Sequence, residues 1–303
     1  MTGIVCLDKP SGLTSFGAAA RMRRIAGEKK IGHCGTLDPM ATGVLPLLLG
    51  GATRFLELLP ESGKAYRAVI RLGLVTDTLD ITGKVLAERP ASVTAAQVAG
   101  VLNGFRGDIM QVPPMYSAIS RGGVRLYELA RQGIEVEREA RPVTISKLEL
   151  VSADEQAQEF VLDVECSKGT YIRSLAQDIG EKLGCGAVLA QLCRTFAAGF
   201  PLKQCVTLEQ AQQLKEEKRF HECLIPLEEA LEVYPMVSVT QAQAKRFSNG
   251  GGLSLDRLSL PQRAEGYIRV FGEGLFLGLG EVRSDLQELS VKRVLVREGT
   301  VCK

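Results

Sequence analysis

Apolar and polar residues alternate along several short segments of the chain, as they do in half-buried β-strands. The alternation is clearest over residues 66–72 and 161–166, and it is weaker over residues 142–151. Residues 44–49 form a continuous apolar run, which indicates a core strand. The pattern therefore predicts a sheet in which several strands bury one face.

Two other segments have the spacing of helices. Ser15 can cap a helix that runs to about Ala26, with Gly27 at its end. Apolar residues at positions 172, 175, 176, 179 and 183 predict a second helix, which stops near Gly184. Strands and helices do not alternate regularly, so the sequence predicts an α+β fold whose mixed, largely antiparallel sheet has flanking helices.

The length and the change of pattern near the C-terminus predict two domains. The chain has 303 residues, which is long for one compact core, and 45% of them are apolar. After Pro235 a strand-like segment, a short helix-like stretch to Arg246, glycines at 250–252 and alternating segments over 266–271 and 275–279 follow. We therefore predict a large domain over residues 1–232 and a small β-rich domain over residues 235–303.

Residues 103–141 predict an addition to the core of the large domain. Six arginines lie in this segment around a Val-Pro-Pro sequence. An ordinary surface loop is the alternative interpretation.

Charge and cysteine content narrow the function classes. The net charge of +2 is nearly neutral, but residues 9–30 contain six Lys and Arg residues and only one acidic residue, Glu28. This segment predicts phosphate binding on one face, with a solvated basic helix as the alternative.

The eight cysteines form no Cys-x-x-Cys pair, and only two histidines could join them as ligands. This content argues against a metal site.

The same composition predicts where the protein works. Most cysteines lie in apolar surroundings, as is usual in a reducing compartment. No apolar stretch approaches the roughly 18 residues of a membrane span, and no export signal is evident. We therefore expect a cytoplasmic protein that does not associate with membranes.

Asp38 is the strongest candidate for chemistry. It lies in the segment Gly-His-Cys-Gly-Thr-Leu-Asp-Pro-Met-Ala-Thr-Gly over residues 32–43. The small residues favour a loop, and glycines let a substrate approach the main chain closely. Pro39 biases Asp38 towards an extended backbone, which limits where the carboxylate points. A simple Asp-Pro turn is the alternative.

This segment resembles the catalytic motif of the TruB family of pseudouridine synthases. Four further segments match that family in order: Leu-Asp-Lys-Pro-Ser-Gly-Leu-Thr-Ser at 7–15, Lys-Ala-Tyr-Arg at 64–67, Thr-Asp-Thr-Leu-Asp-Ile-Thr-Gly at 76–83 and Lys-Gly-Thr-Tyr-Ile-Arg at 168–173. The resemblance implies an isomerase that converts the T-loop uridine at position 55 of tRNA to pseudouridine, with no cofactor and no metal.

The resemblance also implies how the parts of the chain serve the RNA. Residues 1–232 would be the catalytic domain, and the segment 103–141 would be an insertion that grips the RNA loop. Residues 235–303 resemble, more faintly, a PUA-type RNA-binding domain. The partner would be the T stem-loop of tRNA, and we expect a monomer that needs no protein partner.

By the same resemblance, Asp38 is the catalytic carboxylate and Arg173 is its partner. A carboxylate in a pocket that excludes water needs an opposing charge to stay ionised near neutral pH. Arg173 lies at the start of the predicted helix 172–183, where free N–H groups also favour anions. A surface arginine is the alternative interpretation.

Five further residues receive substrate-binding roles from the resemblance. Tyr66 would stack on the extruded uracil, and Tyr171 and Leu192 would be the other pocket walls. His33 would occupy the space vacated in the RNA, and Lys9 would shape the floor of the pocket. Tyr66 or Leu192 as core residues, and a hydrogen-bonded loop histidine, are the alternatives.

Asp80 matches a family position near the RNA, although a turn aspartate before Gly83 explains it equally well.

Two alternatives to a tRNA isomerase stay open at this stage. One is a non-catalytic RNA-binding or RNA-folding protein, which the presence of Asp38 disfavours because an acid repels phosphate. The other is the same reaction on another RNA, as in guide-dependent relatives.

Overall fold

The computed structural model describes residues 1–60, 63–260 and 265–295. Eighteen β-strands and seven α-helices lie in these ranges, together with short 3₁₀ helices. The strands are β1 Gly3–Lys9, β2 Ile31–His33, β3 Thr42–Leu49, β4 Lys64–Leu72, β5 Leu74–Thr76, β6 Val85–Glu88, β7 Gly107–Gln111, β8 Ser120–Arg121, β9 Val124–Arg125, β10 Arg141–Asp154, β11 Glu159–Cys166, β12 Ala187–Ala197, β13 Phe200–Pro201, β14 Met236–Val239, β15 Leu253–Ser254, β16 Tyr267–Gly272, β17 Leu275–Arg283 and β18 Glu288–Val294. The α-helices are α1 Ser15–Ala26, α2 Ala95–Leu102, α3 Leu126–Arg131, α4 Ile172–Lys182, α5 Leu208–Glu216, α6 Leu227–Ala230 and α7 Gln241–Ser248.

A nine-stranded sheet forms the centre of the large part of the chain. Its strand order is β1-β3-β12-β4-β11-β10-β7, with β2 beside β3 and β13 beside β12. The pairs are antiparallel except for β3 and β12, which run parallel. The predicted α+β fold with a largely antiparallel sheet is therefore confirmed.

Strand β4 shows why these residues form a sheet. Tyr66, Ala68 and Ile70 are buried on one face, while Arg67 and Arg71 are exposed on the other. β4 lies between β11 and β12 in the sheet. Its buried side chains belong to an apolar core that also contains residues of α1 and α4. The period of two that predicted this strand is the period with which its side chains are buried.

The start of α1 differs from the prediction. Thr14, not Ser15, caps the helix, because its hydroxyl accepts a hydrogen bond from the Gly17 amide at 2.9 Å. Gly27 ends the helix in the left-handed conformation, as predicted. The Ser15 hydroxyl instead accepts from the Leu37 amide at 2.8 Å and donates to the Leu37 carbonyl at 3.1 Å. Ser15 therefore connects α1 to the loop that carries Asp38.

A second, five-stranded sheet lies in the C-terminal part, with the order β14-β16-β17-β18-β15. It has a core of its own around Phe247, Ile268 and Val270. Another apolar cluster joins it to the large part, where the rings of Phe55 and Phe276 lie 6.1 Å apart. The domain boundary predicted at residues 232–235 falls between α6 and β14, and the division into two domains stays a prediction. Residues 296–303 of the predicted small domain lie outside the described residues.

The segment 103–141 is partly integrated into the main sheet. Its strand β7 pairs with β10 at the sheet edge, while β8, β9 and α3 form a small excursion. In the described ranges no helix is long and apolar enough to cross a membrane.

Candidate active site

The loop between β2 and β3 carries Asp38. The two strands are antiparallel, with His33 opposite Leu47, and residues 34–41 connect them. The segment from residue 9 to residue 15 holds this loop through side-chain and backbone donors. Besides the Ser15 contacts, these are Gly12 N to Pro39 O at 2.8 Å, Ser11 Oγ to Met40 O at 3.0 Å and Lys9 Nζ to Pro39 O at 3.2 Å.

Asp38 and Arg173 form a two-bond ion pair. Arg173 Nε lies 2.8 Å from Asp38 Oδ2, and Arg173 Nη2 donates to Asp38 Oδ1 at 2.9 Å. The arginine side chain is 5% exposed and the aspartate side chain 33% exposed. The guanidinium therefore lies beneath the carboxylate, which remains accessible from one side.

Arg173 also connects two other loops to the pair. Nη1 donates to the Thr78 carbonyl at 3.1 Å, and Nη2 donates to the Tyr116 carbonyl at 2.9 Å. A planar guanidinium has donors in several fixed directions, which suits this set of acceptors. Arg173 lies in the first turn of α4, so the helix sets its position.

The surroundings of Asp38 raise its pKa above the ordinary value. Burial has the largest effect, and the nearby charge of Asp80 raises the pKa further. The Arg173 charge and hydrogen bond, together with the Lys9 charge, oppose the rise. The two cations thus limit the rise in the pKa of this desolvated carboxylate.

Tyr66 and Leu192 lie on neighbouring strands of the main sheet. Tyr66 is opposite Arg194 in the pairing of β4 with β12, and Leu192 is opposite Ala68. Each is only 7% exposed and belongs to the main core cluster. Burial raises the pKa of Tyr66 to about 12, so its ring is neutral at physiological pH.

Tyr171 is held by a buried glutamine. Its amide donates to Gln111 Oε1 at 2.8 Å, and Gln111 Nε2 donates to the Tyr171 carbonyl at 3.1 Å. Gln111 ends β7 and is 2% exposed. The edge strand therefore positions the residue that directly precedes α4. Sequence reasoning gave Gln111 no role, because a single polar residue in a loop-like segment carries no signal.

His33 ends β2 and is half-buried. No residue in the described part of the chain hydrogen-bonds its Nδ1 atom, which is buried. Burial and the charge of Arg194 lower its pKa, which favours the neutral imidazole. The structure thus gives no support to the alternative of a hydrogen-bonded histidine at that nitrogen.

Lys9 is completely buried, and its ammonium donates to three backbone carbonyls. These are Pro10 O at 2.8 Å, Leu13 O at 2.7 Å and Pro39 O at 3.2 Å. Burial lowers the pKa of Lys9 to about 8, although the Asp38 charge opposes this shift. Lys9 thus helps to hold the loop that carries Asp38 in place.

Arg194 is a functional candidate that sequence reasoning missed. It is fully buried in β12, where Nε donates to Val44 O at 2.8 Å, Nη2 to Gly35 O at 3.0 Å and Nη1 to Thr36 O at 3.4 Å. It therefore connects the start of the Asp38 loop and strand β3 to β12. The available signal was a charged residue two positions after Leu192, on the face where the strand buries its side chains.

The structure thus gathers Lys9, Asp38 and Arg173 around one loop, with Tyr66, Tyr171, Leu192 and His33 on the adjoining elements. Across residues 1–60, 63–260 and 265–295, no group of three or more His, Cys, Asp and Glu side chains is suited to hold a metal ion.

Comparison with known proteins identifies the class of protein to which this site belongs. Three family models match consecutive parts of the chain: TruB family pseudouridylate synthase (N terminal domain) over residues 23–172, tRNA pseudouridylate synthase B C-terminal domain over 173–232, and Pseudouridine synthase II TruB, C-terminal, over 235–295. All three describe pseudouridine-forming enzymes.

Whole-length relatives narrow the class to one family. The chain is 45% identical over 296 residues to tRNA pseudouridine synthase B of Azoarcus sp. (strain BH72), covering 98% of this chain and 95% of that protein. It is 41% identical over 307 residues to tRNA pseudouridine synthase B of Escherichia coli (strain K12), with 98% and 96% covered. The chain belongs to the TruB family of pseudouridylate synthases, which confirms the resemblance read from its motifs.

A solved structure shares the fold over nearly the whole chain. A chain in "Crystal Structure of a Cbf5-Nop10-Gar1 Complex" superimposes with a TM-score of 0.73 at 25% sequence identity, covering 97% of this chain and 85% of that one. The similarity therefore extends across both sheets.

Proposed function

We propose that the chain isomerises the uridine at position 55, in the T loop of tRNA, to pseudouridine. The observation that carries the proposal is the partly exposed Asp38 carboxylate, which the buried Arg173 holds through two hydrogen bonds. The relatives named tRNA pseudouridine synthase B, aligned over 98% of the chain, support tRNA as the substrate.

The reaction needs a carboxylate next to the anomeric carbon. The C1′–N1 bond breaks, the uracil turns, and C5 bonds to C1′; C5 loses its proton to water and N1 gains one, so the product is an isomer of uridine. Asp38 would act by attacking C1′, by attacking C6, or as a base at C2′. Each role requires the ionised form, which Arg173 favours.

A uridine within a folded loop reaches this carboxylate only after it leaves the stack. We assign Tyr66 as the ring on which the uracil stacks, and Tyr171 and Leu192 as the other walls. We assign His33 to the space vacated in the RNA. Lys9 acts beneath the pocket by holding the Asp38 loop, since its ammonium is enclosed by carbonyls.

Regions outside the pocket would hold the RNA backbone. On α1 the side chains of Arg21, Arg23 and Arg24 are exposed, which suits phosphate contacts. We further propose that residues 1–232 form the catalytic domain, that the insertion 103–141 grips the RNA loop, and that 235–303 bind RNA as a PUA-like domain. We propose that the protein acts as a monomer without a protein partner, in the cytoplasm.

Tritium release tests the proposal directly. A T-arm stem-loop with tritium at C5 of its uridines loses label to water only if isomerisation occurs. We expect the wild-type protein to release the label, and Asp38→Asn to bind the stem-loop normally but release label at least about 100-fold more slowly.

Asp163→Asn is the matched control. Asp163 also forms a two-bond pair with an arginine, Arg67, at 2.9 and 3.0 Å, but on the exposed face of β4. This variant should retain wild-type release. Binding of the stem-loop without any release by the wild-type protein would instead identify a non-catalytic RNA-binding protein.

A further inference from the structure

Lys64 is a half-buried cation beside the site that the proposed mechanism does not use. It is the first residue of β4 and lies opposite Cys166, the last residue of β11. Its Nζ atom lies 3.6 Å from the point where a β-carbon on Gly35 would stand. Lys64 therefore lies between the Asp38 loop and the segment 167–171 that leads to Arg173.

The Lys64 ammonium lacks a partner. Within the described part of the chain, no acceptor hydrogen-bonds it and no carboxylate forms an ion pair with it. Burial lowers its pKa, and the neighbouring Arg194 charge lowers it further. A lysine of this kind ordinarily extends its ammonium into water or towards an acid, because a desolvated and unpaired charge is costly.

A second cation converges on the same place. Arg194 Nη1 lies 3.4 Å from the same β-carbon position on Gly35, so two positive groups flank one glycine. Gly35 has a φ of 75°, a conformation that favours glycine, and its lack of a side chain lets the two cationic groups lie close to the main chain. The other groups that shift the pKa of Lys64 are the thiols of Cys34 and Cys166, and no carboxylate is among them.

We propose that Lys64 binds a phosphate of the RNA backbone that flanks the everted uridine. This inference depends on the proposed function and adds an anchoring point to it. An ammonium is a compact point charge that binds phosphate well, and Arg194 supports it from the interior. Lys64 and Tyr66 are two residues apart on β4, so they share a face of the strand. A nucleotide stacked on Tyr66 would thus have its backbone near Lys64.

The salt dependence of binding tests the charge. Each phosphate contact contributes about 0.7 to the slope of log affinity against log salt for single-stranded RNA. We expect Lys64→Met to lower the magnitude of that slope by about 0.7, the value of one phosphate contact. Binding of the T-arm stem-loop should weaken about eightfold at 50 mM salt. Lys64→Arg should retain both values. Lys182→Met, at the exposed end of α4, is the control and should behave as wild type.

Neutral linkages test the phosphate itself. A stem-loop with a methylphosphonate on the 5′ or the 3′ side of the target uridine lacks one charge. At one of these positions the wild-type protein should lose affinity as Lys64→Met does, and Lys64→Met should lose nothing more. Equal losses in both proteins at both positions, or an unchanged salt slope in Lys64→Met, would overturn the proposal.

These outcomes are separable from the proposed function. If the wild-type protein releases tritium and Lys64→Met binds normally, the phosphate site is wrong and the isomerase stands. If Lys64→Met shows the expected loss but the wild-type protein releases no tritium, the phosphate contact stands and the isomerase is wrong.

Discussion

At the scale of single residues, the direction of the Arg173 donors matters as much as its charge. One guanidinium donates to a carboxylate and to carbonyls of two separate loops, at 2.8–3.1 Å. A lysine in its place would keep the positive charge but lose the planar, forked geometry. The position of Asp38 relative to the loops at Thr78 and Tyr116 would then no longer be fixed.

We therefore predict that Arg173→Lys lowers kcat for tritium release about 100-fold, because a misplacement of about 1 Å has effects of that size. The protein should stay folded at the assay temperature. Steady-state kinetics and thermal unfolding check this together. The control is Arg67→Lys, which alters the exposed pair with Asp163. Unfolding of the Arg173→Lys protein at the assay temperature would contradict the prediction.

The pH dependence of kcat/KM reports the protonation state of Asp38. Because burial raises the pKa of Asp38, kcat/KM of the wild-type protein should fall with decreasing pH at a value above the ordinary pKa of an aspartate. Arg173 lowers that pKa, so Arg173→Met should move the fall to still higher pH. A fall at the same pH in both proteins would show that Asp38 is not the group that titrates.

At the scale of elements, α4 positions Arg173 by packing closely on β12. A β-carbon on Gly180 of α4 would lie 2.2 Å from the Ala187 amide nitrogen and 2.5 Å from its β-carbon. No real contact is that short, so a side chain there would push the helix away from the strand. Gly100 in α2 is also a helical glycine, but nothing lies within 4 Å of its β-carbon position.

We predict that Gly180→Ala destabilises the protein by about 1–3 kcal/mol, the usual effect of overpacking. It should also slow tritium release, because the shift of α4 moves Arg173. Gly100→Ala should instead stabilise the protein by about 0.5–1 kcal/mol, the gain in helix propensity. Chemical denaturation measures both, and a stabilised Gly180→Ala would show that the helix tolerates the shift.

Local patterns predicted the elements better than the contacts between them. The strand over 66–72 and the helix from 172 follow from periodicity, and both exist with ends shifted by one or two residues. Thr14 and Ser15 are equally good caps, and only the distant contact with Leu37 decides which one caps α1. Arg194 stayed hidden because its acceptors lie about 150 residues away in sequence.

The candidate site was predicted as a set of residue types without their geometry. The motifs placed Asp38 and Arg173 in one site, but their two-bond contact spans 135 residues and depends on how the sheet closes. Lys9 shows the opposite case. Its residue type suggests a contact with the substrate, whereas its burial directs the ammonium to main-chain carbonyls.

At the scale of the whole molecule, one apolar cluster joins the two sheets. It contains Phe55 and Val44 from the large part and Phe276 and Leu279 from β17, all fully or almost fully buried. The Tyr234 hydroxyl adds a hydrogen bond to the Leu58 carbonyl at 3.1 Å. Separation of the sheets would expose this cluster to water, so the two parts should unfold together.

We predict that the wild-type protein unfolds in a single calorimetric transition and that Phe276→Ala divides it into two. Removal of this ring leaves a cavity between the sheets, with a loss of about 3–5 kcal/mol. Below the first transition, Phe276→Ala should still release tritium, because the Asp38–Arg173 pair lies within the large part. Leu286→Ala, at a side chain that is 60% exposed, is the control and should leave the scan unchanged. Two transitions in the wild-type protein would mean that the cluster does not couple the sheets.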